Sequence, residues 1–401
     1  MDLLQMAFSF EFVNNCIEKG LTKSIPRRIL ADLCTADFRQ RLYHQIENGE
    51  YQLSPPKVVK IPKDNGGFRE IYVCKPLDRI VLTLLNSALD YEYGGLLSDA
   101  CVSYRKGLSC ANVVREIPGH TLIGYKLDLS KYFDSVPQDV LNRTLKELKL
   151  DKPIEKLLLE FYNDNHVIVD NKIVNRYKSL GQGCATASFL SNYLLRNFDS
   201  RMLQLCDFYR RYSDDMLLLG TEADEALAVA KRELGALGLA INPDKIEQLT
   251  PDKEFKFLGF GIKGDTVTIS SKDMSRKKSE VKHALKLVDR SLPIEQRLSK
   301  AIESVKHIFF NYSDPCYGWL YIKALGVNDY ARIAELDNYC KDCIRAALTG
   351  SWNYTHNMNK FPNRLLEAQG YVSLVHMAKA AHIGRSFFKG EHLRCVTQHI
   401  R

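Results

Sequence analysis

The 401 residues contain no apolar run approaching the roughly 18–20 residues that a membrane-spanning helix needs, so no membrane partner is expected. The opening Met1-Asp2-Leu3-Leu4 lacks a basic start, and Glu11 interrupts the apolar residues that follow, so no secretory leader is predicted and the expected location is the cytoplasm. A second Cys-x-x-C is also missing. Cys340-Lys-Asp-Cys343 stands alone without a partner at zinc-site spacing, and its cysteines read as helix residues. The eleven cysteines are odd in number and scattered, which fits reduced thiols rather than a disulfide framework. There are no internal repeats and no low-complexity linker. What is present is charge that is unevenly spread. Residues 271–401 carry 21 Lys/Arg against 12 Asp/Glu, leaving 35 against 36 for residues 1–270. A near-neutral body followed by a basic C-terminal third predicts a polyanionic partner, nucleic acid in the first instance.

The chain reads as α+β. Apolar residues at three- and four-residue spacing predict helices over residues 1–50. Two strands follow, Val58–Pro62 and Phe68–Val73, joined by the turn Lys63-Asp64-Asn65-Gly66-Gly67, which sets Lys63 and Arg69 near one tip. Pro76–Tyr91 is predicted to be a helix with one apolar face. The segment from Leu122 begins as a strand and delivers Asp128 at its end, ahead of a turn with two aromatics, Tyr132 and Phe133. Val167–Val169 and Lys172–Val174 flank Asp170-Asn171 as a second hairpin. Ser179–Asn192 is a glycine-rich loop, containing Gly181-Gln182-Gly183, that leads into a helix. After an amphipathic helix over Glu222–Gly238, Phe255–Gly261 and Thr266–Ile269 read as the two strands of another hairpin, and beyond residue 270 the chain reads as helical.

The most informative stretch is Tyr209–Gly220. Tyr212 and the run from Met216 favour strand, and Ser-Asp-Asp between them favours a tight turn, so Asp214 and Asp215 are predicted at a hairpin tip. Alone, such a pair most often marks a solvated turn. Adjacent carboxylates repel, however, and a divalent cation removes the conflict; hard oxygen ligands suit Mg²⁺, with Mn²⁺ as a substitute. Acids from separate strands, Asp128 with Asp214 and Asp215, supply what two-metal phosphoryl transfer requires.

Over roughly Lys57–Gly261 the sequence resembles the reverse transcriptases. Asp128-Leu-Ser-Lys-Tyr-Phe-Asp134 resembles the first catalytic motif, Gly181-Gln-Gly183 with Ser191-Asn192 the second, and Tyr212-Ser-Asp-Asp215 the Tyr-x-Asp-Asp box. Gly238–Lys245 resembles the next motif and Phe257-Leu-Gly-Phe260 the primer-grip hairpin. The resemblance implies a right-hand polymerase: an N-terminal helical extension (1–50), fingers (51–120), a palm (121–270) with an interleaved fingers segment at about 145–178, a helical thumb (271–345) and a helical extension (346–401). It implies two metal ions held by Asp128, Asp214 and Asp215, and Lys245 as proton donor to pyrophosphate. The incoming dNTP would meet Lys63, Arg69, Phe133, Gln182 and Gly183, with Phe133 as the gate against a 2′-hydroxyl. Tyr212, Leu258 and Gly259 would touch the nucleic acid, joined by Lys277, Lys278, Lys282 and Lys286 of one basic helix face. Tyr312, Tyr317, Trp319, Tyr321 and Tyr330 interleave aromatics with that charge.

Where the second motif commonly has Pro-Gln-Gly and a later Ser-Pro, this chain has Gly181, Ala187 and Ser188. No zinc-binding endonuclease or ribonuclease H set of acids is evident after residue 271. The variant looks more like the bacterial unknown-group enzymes, which include the defence-associated and abortive-infection reverse transcriptases. The implied activity is RNA-directed DNA synthesis in antiphage defence, on a structured non-coding RNA template with a DNA or RNA primer and dNTPs, with room for a protein partner or oligomer. The competing readings are a template-independent or protein-primed polymerase of the abortive-infection type, an RNA-dependent RNA polymerase, and an inactive nucleic-acid-binding palm.

Overall fold

A computed structural model describes residues 2–22, 25–63, 66–105, 107–117, 123–311 and 318–382. Tyr312, Tyr317, the Asp64-Asn65 tip, Leu122 and the tail 383–401 lie outside the described residues. The chain divides into two compact units, one of Met1–Tyr104 with Gly124–Gln248 and one of Arg105–Ile123 with Leu249–Arg401.

The first unit begins with four short helices, α1 (Leu3–Ala7), α2 (Phe10–Glu18), α3 (Arg27–Cys34) and α4 (Ala36–Glu47). Asp2 and Ser9 cap the first two, each side chain accepting from a backbone amide three residues on. Strands β1 (Lys57–Pro62) and β2 (Phe68–Val73) form the antiparallel hairpin expected of the Gly66-Gly67 turn. Helix α5 (Pro76–Tyr93) starts with proline at its first position, where the missing N–H costs nothing. Its Ile80, Val81, Leu84, Leu85 and Ala88 are fully buried, and each large side chain contributes on the order of 1.5–3 kcal/mol.

Beyond α6 (Cys110–Glu116), which belongs to the second unit, come β3 (Gly124–Asp128), the single turn α7 (Tyr132–Ser135), α8 (Gln138–Glu147), α9 (Lys152–Asn163), and the hairpin β4 (His166–Val169) and β5 (Lys172–Asn175). Asp170 and Asn171 both take positive φ at that hairpin, the backbone a two-residue turn demands and these residue types tolerate. The hairpin joins β1 in one sheet of order β2-β1-β4-β5. Helices α10 (Ala187–Leu194) and α11 (Arg196–Leu205) precede β6 (Phe208–Tyr212) and β7 (Asp215–Leu219); α12 (Ala223–Ala236) and β8 (Glu247–Leu249) follow. The second sheet has the order β6-β7-β3-β8, with the apolar run Met216–Leu219 fully buried at its centre.

The second unit holds a three-stranded meander, β9 (Phe255–Phe257), β10 (Phe260–Lys263) and β11 (Thr266–Ile269). Phe255–Gly261 is therefore two strands, which agrees with the hairpin that the resemblance implies at Phe257-Leu-Gly-Phe260 and corrects the single strand read from the apolar pattern. Leu258-Gly259 forms a tight turn, with both residues at positive φ. The remainder is helical among the described residues: α13 (Ser271–Lys286), α14 (Ile294–Phe309), α15 (Trp319–Gly326), α16 (Ala331–Thr349), α17 (Tyr354–Lys360), α18 (Asn363–Ala368) and α19 (Leu374–His382). No described helix is long and apolar enough to cross a membrane.

Candidate active site

Strand pairing brings the acids together. Asp128, the last residue of β3, lies directly opposite Asp215, the first residue of β7, and Tyr212 faces Asp215 from β6. Ser213 and Asp214 make the turn between β6 and β7. Ser213 stands at φ 59, a left-handed conformation that is costly for a residue with a Cβ. Hydrogen bonds hold it there. The Ser213 amide donates to Ser103 Oγ at 2.9 Å, its carbonyl accepts from Arg211 Nη1 at 3.2 Å, and the Asp214 carbonyl accepts from the Leu129 amide at 3.1 Å.

Burial and like charge both work against the ionised carboxylates here. Burial pushes the Asp214 carboxyl above its ordinary range, a backbone hydrogen bond partly offsets this, and the charge of Asp128 adds to the rise. Asp215 is pushed up to about 6, first by burial and then by the charges of Asp214 and Asp128. Like charges placed opposite one another on neighbouring strands destabilise a sheet. Lys245 relieves part of the conflict. It ends a 3₁₀ turn over Pro243–Lys245 that is fastened beneath Asp128, where the Asn242 amide donates to the Asp128 carbonyl at 2.8 Å. Lys245 Nζ then lies 2.8 Å from both Asp128 carboxylate oxygens. Among the described residues no group of three His, Cys, Asp or Glu side chains is drawn together closely enough to hold a metal ion. The donor chemistry nevertheless fits a hard divalent cation: three carboxylates share one sheet end, and two of them are raised by burial and then by the charge of their neighbours.

The nucleotide-side residues expected from the sequence converge on the same unit. The Phe133 carbonyl accepts from the Gly181 amide at 3.2 Å, which sets the glycine loop beside the Asp128 motif. The Phe133 ring is half-buried and meets Tyr104 edge-on at 6.3 Å between centroids. The Gln182 carbonyl accepts from the Tyr72 amide of β2 at 2.7 Å, so the loop is stitched to the strand that carries Arg69. Gly183 is required there, since a Cβ would sit 2.8 Å from the Tyr72 carbonyl oxygen and φ is +107. Lys63 and Arg69 are exposed. The charge of Lys63 reaches Asp134 of the Asp128 motif.

Leu258 and Gly259 lie in the second unit. Their turn is fixed by the buried Lys323, whose Nζ donates to the Gly259 carbonyl at 2.8 Å, pairs with Asp273 at 2.9 Å and sits 4.1 Å from the centroid of the Phe260 ring. The expected basic face of α13 needs one correction. Lys277 is buried with Met274, Val281 and Leu285; its Nζ donates to Glu280 at 2.6 Å and to the Ile308 carbonyl at 3.2 Å and lies over Phe309 and Trp319. It falls on the apolar stripe of the helix and is not available to phosphate. Lys282 and Lys286 are exposed, and Lys278 is ion-paired with Glu335.

Sequence reasoning missed the support behind the acids. Arg211 and Asp199 form an ion pair with both side chains fully buried, at 2.7 Å. Tyr209 donates to Asp199 Oδ1 at 2.8 Å, and Arg211 Nη1 also reaches Asn192 Oδ1 at 3.4 Å. The signal was parity: positions 209 and 211 share the buried face of β6, so Arg211 occupies a core position.

Comparison with known proteins decides the family. The sequence profile described as "Reverse transcriptase (RNA-dependent DNA polymerase)" matches residues 61–262, about half of the chain. This chain belongs to the reverse transcriptase family. It is 27% identical over 185 residues to the "Putative COX1/OXI3 intron 2 protein" of Saccharomyces cerevisiae, covering 45% of this chain and 22% of that protein. It is 26% identical over 268 residues to "Protein YkfC" of Escherichia coli, covering 55% of this chain and 70% of that protein. The chain thus spans about a fifth of the length of the yeast intron protein. Among solved structures, apo telomerase from Candida tropicalis superposes with a TM-score of 0.44 at 16% identity, over 80% of this chain and 68% of that one.

Proposed function

We propose that the protein is an RNA-directed DNA polymerase whose reacting centre is Asp128, Asp214 and Asp215. The observation that carries this reading is the convergence of these three carboxylates, two of them raised by burial and mutual repulsion, at one end of the β6-β7-β3-β8 sheet. Two Mg²⁺ ions, or Mn²⁺ in their place, would be held by these acids and would supply activation of the primer 3′-hydroxyl and charge neutralisation at the pyrophosphate. Lys63 and Arg69 grip the triphosphate, the Lys as a point charge and the Arg as a fork. Gln182 and Gly183 border the nucleotide, and Lys245 delivers a proton to the departing pyrophosphate. In this reading the β1-β2 and β4-β5 sheet is the fingers, the sheet bearing the acids is the palm, and the helices from Ser271 are the thumb, with the Leu258-Gly259 turn against the primer. Gly181, Ala187 and Ser188, which replace the commoner residues of the second motif, support a place among the defence-associated enzymes, copying a dedicated structured RNA in the cytoplasm; sequencing of co-purified nucleic acid tests that assignment.

The polymerase reading is tested by extension of a primer on an RNA template, first with dNTPs and then with NTPs. Extension with dNTPs alone is expected, and extension with NTPs alone overturns it. Phe133→Ala opens space for the 2′-hydroxyl. Because forcing an extra group into a packed site costs roughly 1–3 kcal/mol, the preference for dNTP over NTP is expected to fall about 5- to 150-fold in steady-state kinetics. An unchanged ratio removes Phe133 as the gate.

The exposed Lys282 and Lys286 of α13, with the half-buried Lys278 released from Glu335, are proposed to contact phosphate. Changing Lys278, Lys282 and Lys286 together to Ala is expected to weaken RNA binding and to flatten its dependence on salt by about one unit of log–log slope per lost contact. Parallel slopes for wild type and variant show that these lysines do not touch phosphate.

A further inference from the structure

Trp352 is one of two tryptophans in the chain, and its side chain is 64% exposed. A single exposed apolar residue is ordinary, and what sets Trp352 apart is how firmly the loop that carries it is built. Gly350 ends α16 in the left-handed conformation. Buried Asn357 then ties the loop from below: its Nδ2 donates to the Ser351 carbonyl at 2.8 Å, and its Oδ1 accepts from Thr349 Oγ1 at 2.7 Å. Asn353 caps α17 by accepting from the His356 amide at 2.9 Å. The ring is therefore held out on a rigid support.

Its surroundings are cationic. Lys282 Nζ lies 6.0 Å from the Trp352 centroid and 6.0 Å from that of Tyr339, and it pairs with no carboxylate among the described residues. The three acids of the facing helix α16 are each taken up: Glu335 by Lys278, Asp337 by Lys341 and Asp342 by Arg345. Helix α13 carries six Lys/Arg against two acids, and residues 350–366 contain Lys360 and Arg364 and no acid. A flat aromatic face with an unpaired ammonium beside it matches a ligand that has a π-face and an adjacent negative charge, which is a nucleotide.

We propose that Trp352, with Lys282, is a stacking platform for an unpaired nucleobase of single-stranded nucleic acid: the base lies on the indole and the neighbouring phosphate meets the ammonium. The choice of nucleic acid as the ligand class rests on the reverse transcriptase reading, but the platform belongs to the second unit, shares no residue with the acids and needs neither metal nor nucleotide.

The test is binding of short oligouridylate and oligothymidylate to the full chain without dNTP or divalent ion, followed by tryptophan fluorescence and by fluorescence anisotropy of labelled oligonucleotide. Quenching in wild type that is absent in Trp352→Phe, where Trp319 alone reports, is expected. Trp352→Ala is expected to weaken single-strand affinity about 5- to 150-fold, as loss of one stacked base does, while Trp352→Phe retains part of it. Circular dichroism checks that the variants are folded. Equal effects on both oligonucleotides identify a platform for any single strand, and a larger effect on oligouridylate identifies one for RNA; either supports the site. Unchanged affinity and quenching in Trp352→Ala overturn it. So does a variant whose only change is loss of self-association in sedimentation, since the ring then covers a second copy of the chain. Dead polymerisation with intact quenching counts against the polymerase reading and leaves the platform standing.

Discussion

Asp215→Asn is expected to raise the thermal stability of the metal-free protein while abolishing polymerisation. Asp215 is buried against Asp214 and Asp128, and its carboxyl is raised from an ordinary 3.8 to about 6. Between those values the folded state binds more protons than the unfolded chain. Stability conferred by the protonated form is therefore complete below about pH 3.8 and is lost as pH rises through about 6. At neutral pH the ionised carboxylate costs on the order of 1–3 kcal/mol, which the amide removes at nearly constant shape. The stabilisation should shrink as pH falls below about 6, where the wild-type carboxyl is itself protonated. Thermal melts in chelator across that range, beside incorporation assays with Mg²⁺, check both halves. A variant that melts lower than wild type at neutral pH contradicts the electrostatic account, and one that polymerises at the wild-type rate contradicts the catalytic one. Such a trade of stability for function is common where activity needs a destabilised site.

The second large effect is expected behind the turn. Asp199→Ala leaves Arg211 fully buried with its charge uncompensated, and breaking a buried pair from one side costs about 3–5 kcal/mol. Tyr209 loses its acceptor in the same step. Because Arg211 also holds the Ser213 carbonyl at a left-handed turn, incorporation is expected to fall beyond what the lost folded fraction explains. The double variant Asp199→Leu with Arg211→Met removes both charges and should recover much of the stability, since apolar replacements of a buried pair are often neutral. It should not recover turn geometry, because methionine offers no donor to Ser213. Denaturation monitored at equilibrium, with single-turnover incorporation on the folded fraction, separates the two effects. A single Asp199→Ala variant within about 0.5 kcal/mol of wild type, the range of ordinary surface substitutions, removes the pair from the account.

How much of this was legible in the residues themselves follows from the range of the interactions. Asp128 at the end of β3 and Asp214-Asp215 at a hairpin tip were legible because strand periodicity and turn chemistry are local. The Asp170-Asn171 hairpin and the apolar face of α5 were legible for the same reason. Lys277 was misplaced because basic spacing was read without the apolar spacing beside it: Met274, Val281 and Leu285 define a stripe that passes through position 277. The strand over Phe255–Gly261 was drawn too long because Gly259 was given less weight than its apolar neighbours. The Arg211 network was out of reach for a different reason. Asp199 comes from the preceding helix and Ser103 from more than a hundred residues earlier, so no local pattern announces that these groups satisfy one another. The Lys323 pin beneath Leu258-Gly259 spans 64 residues and is equally silent in sequence.

The most direct measurement is template-directed single-nucleotide incorporation: purified protein, a DNA primer annealed to RNA templates that differ in the next base, Mg²⁺, and each dNTP in turn, with Asp214→Ala as the comparison. The account predicts that wild type adds only the dNTP complementary to the RNA base and that Asp214→Ala adds none while keeping its fold. Addition that ignores the template base, or Asp214→Ala extending at the wild-type rate, would contradict it.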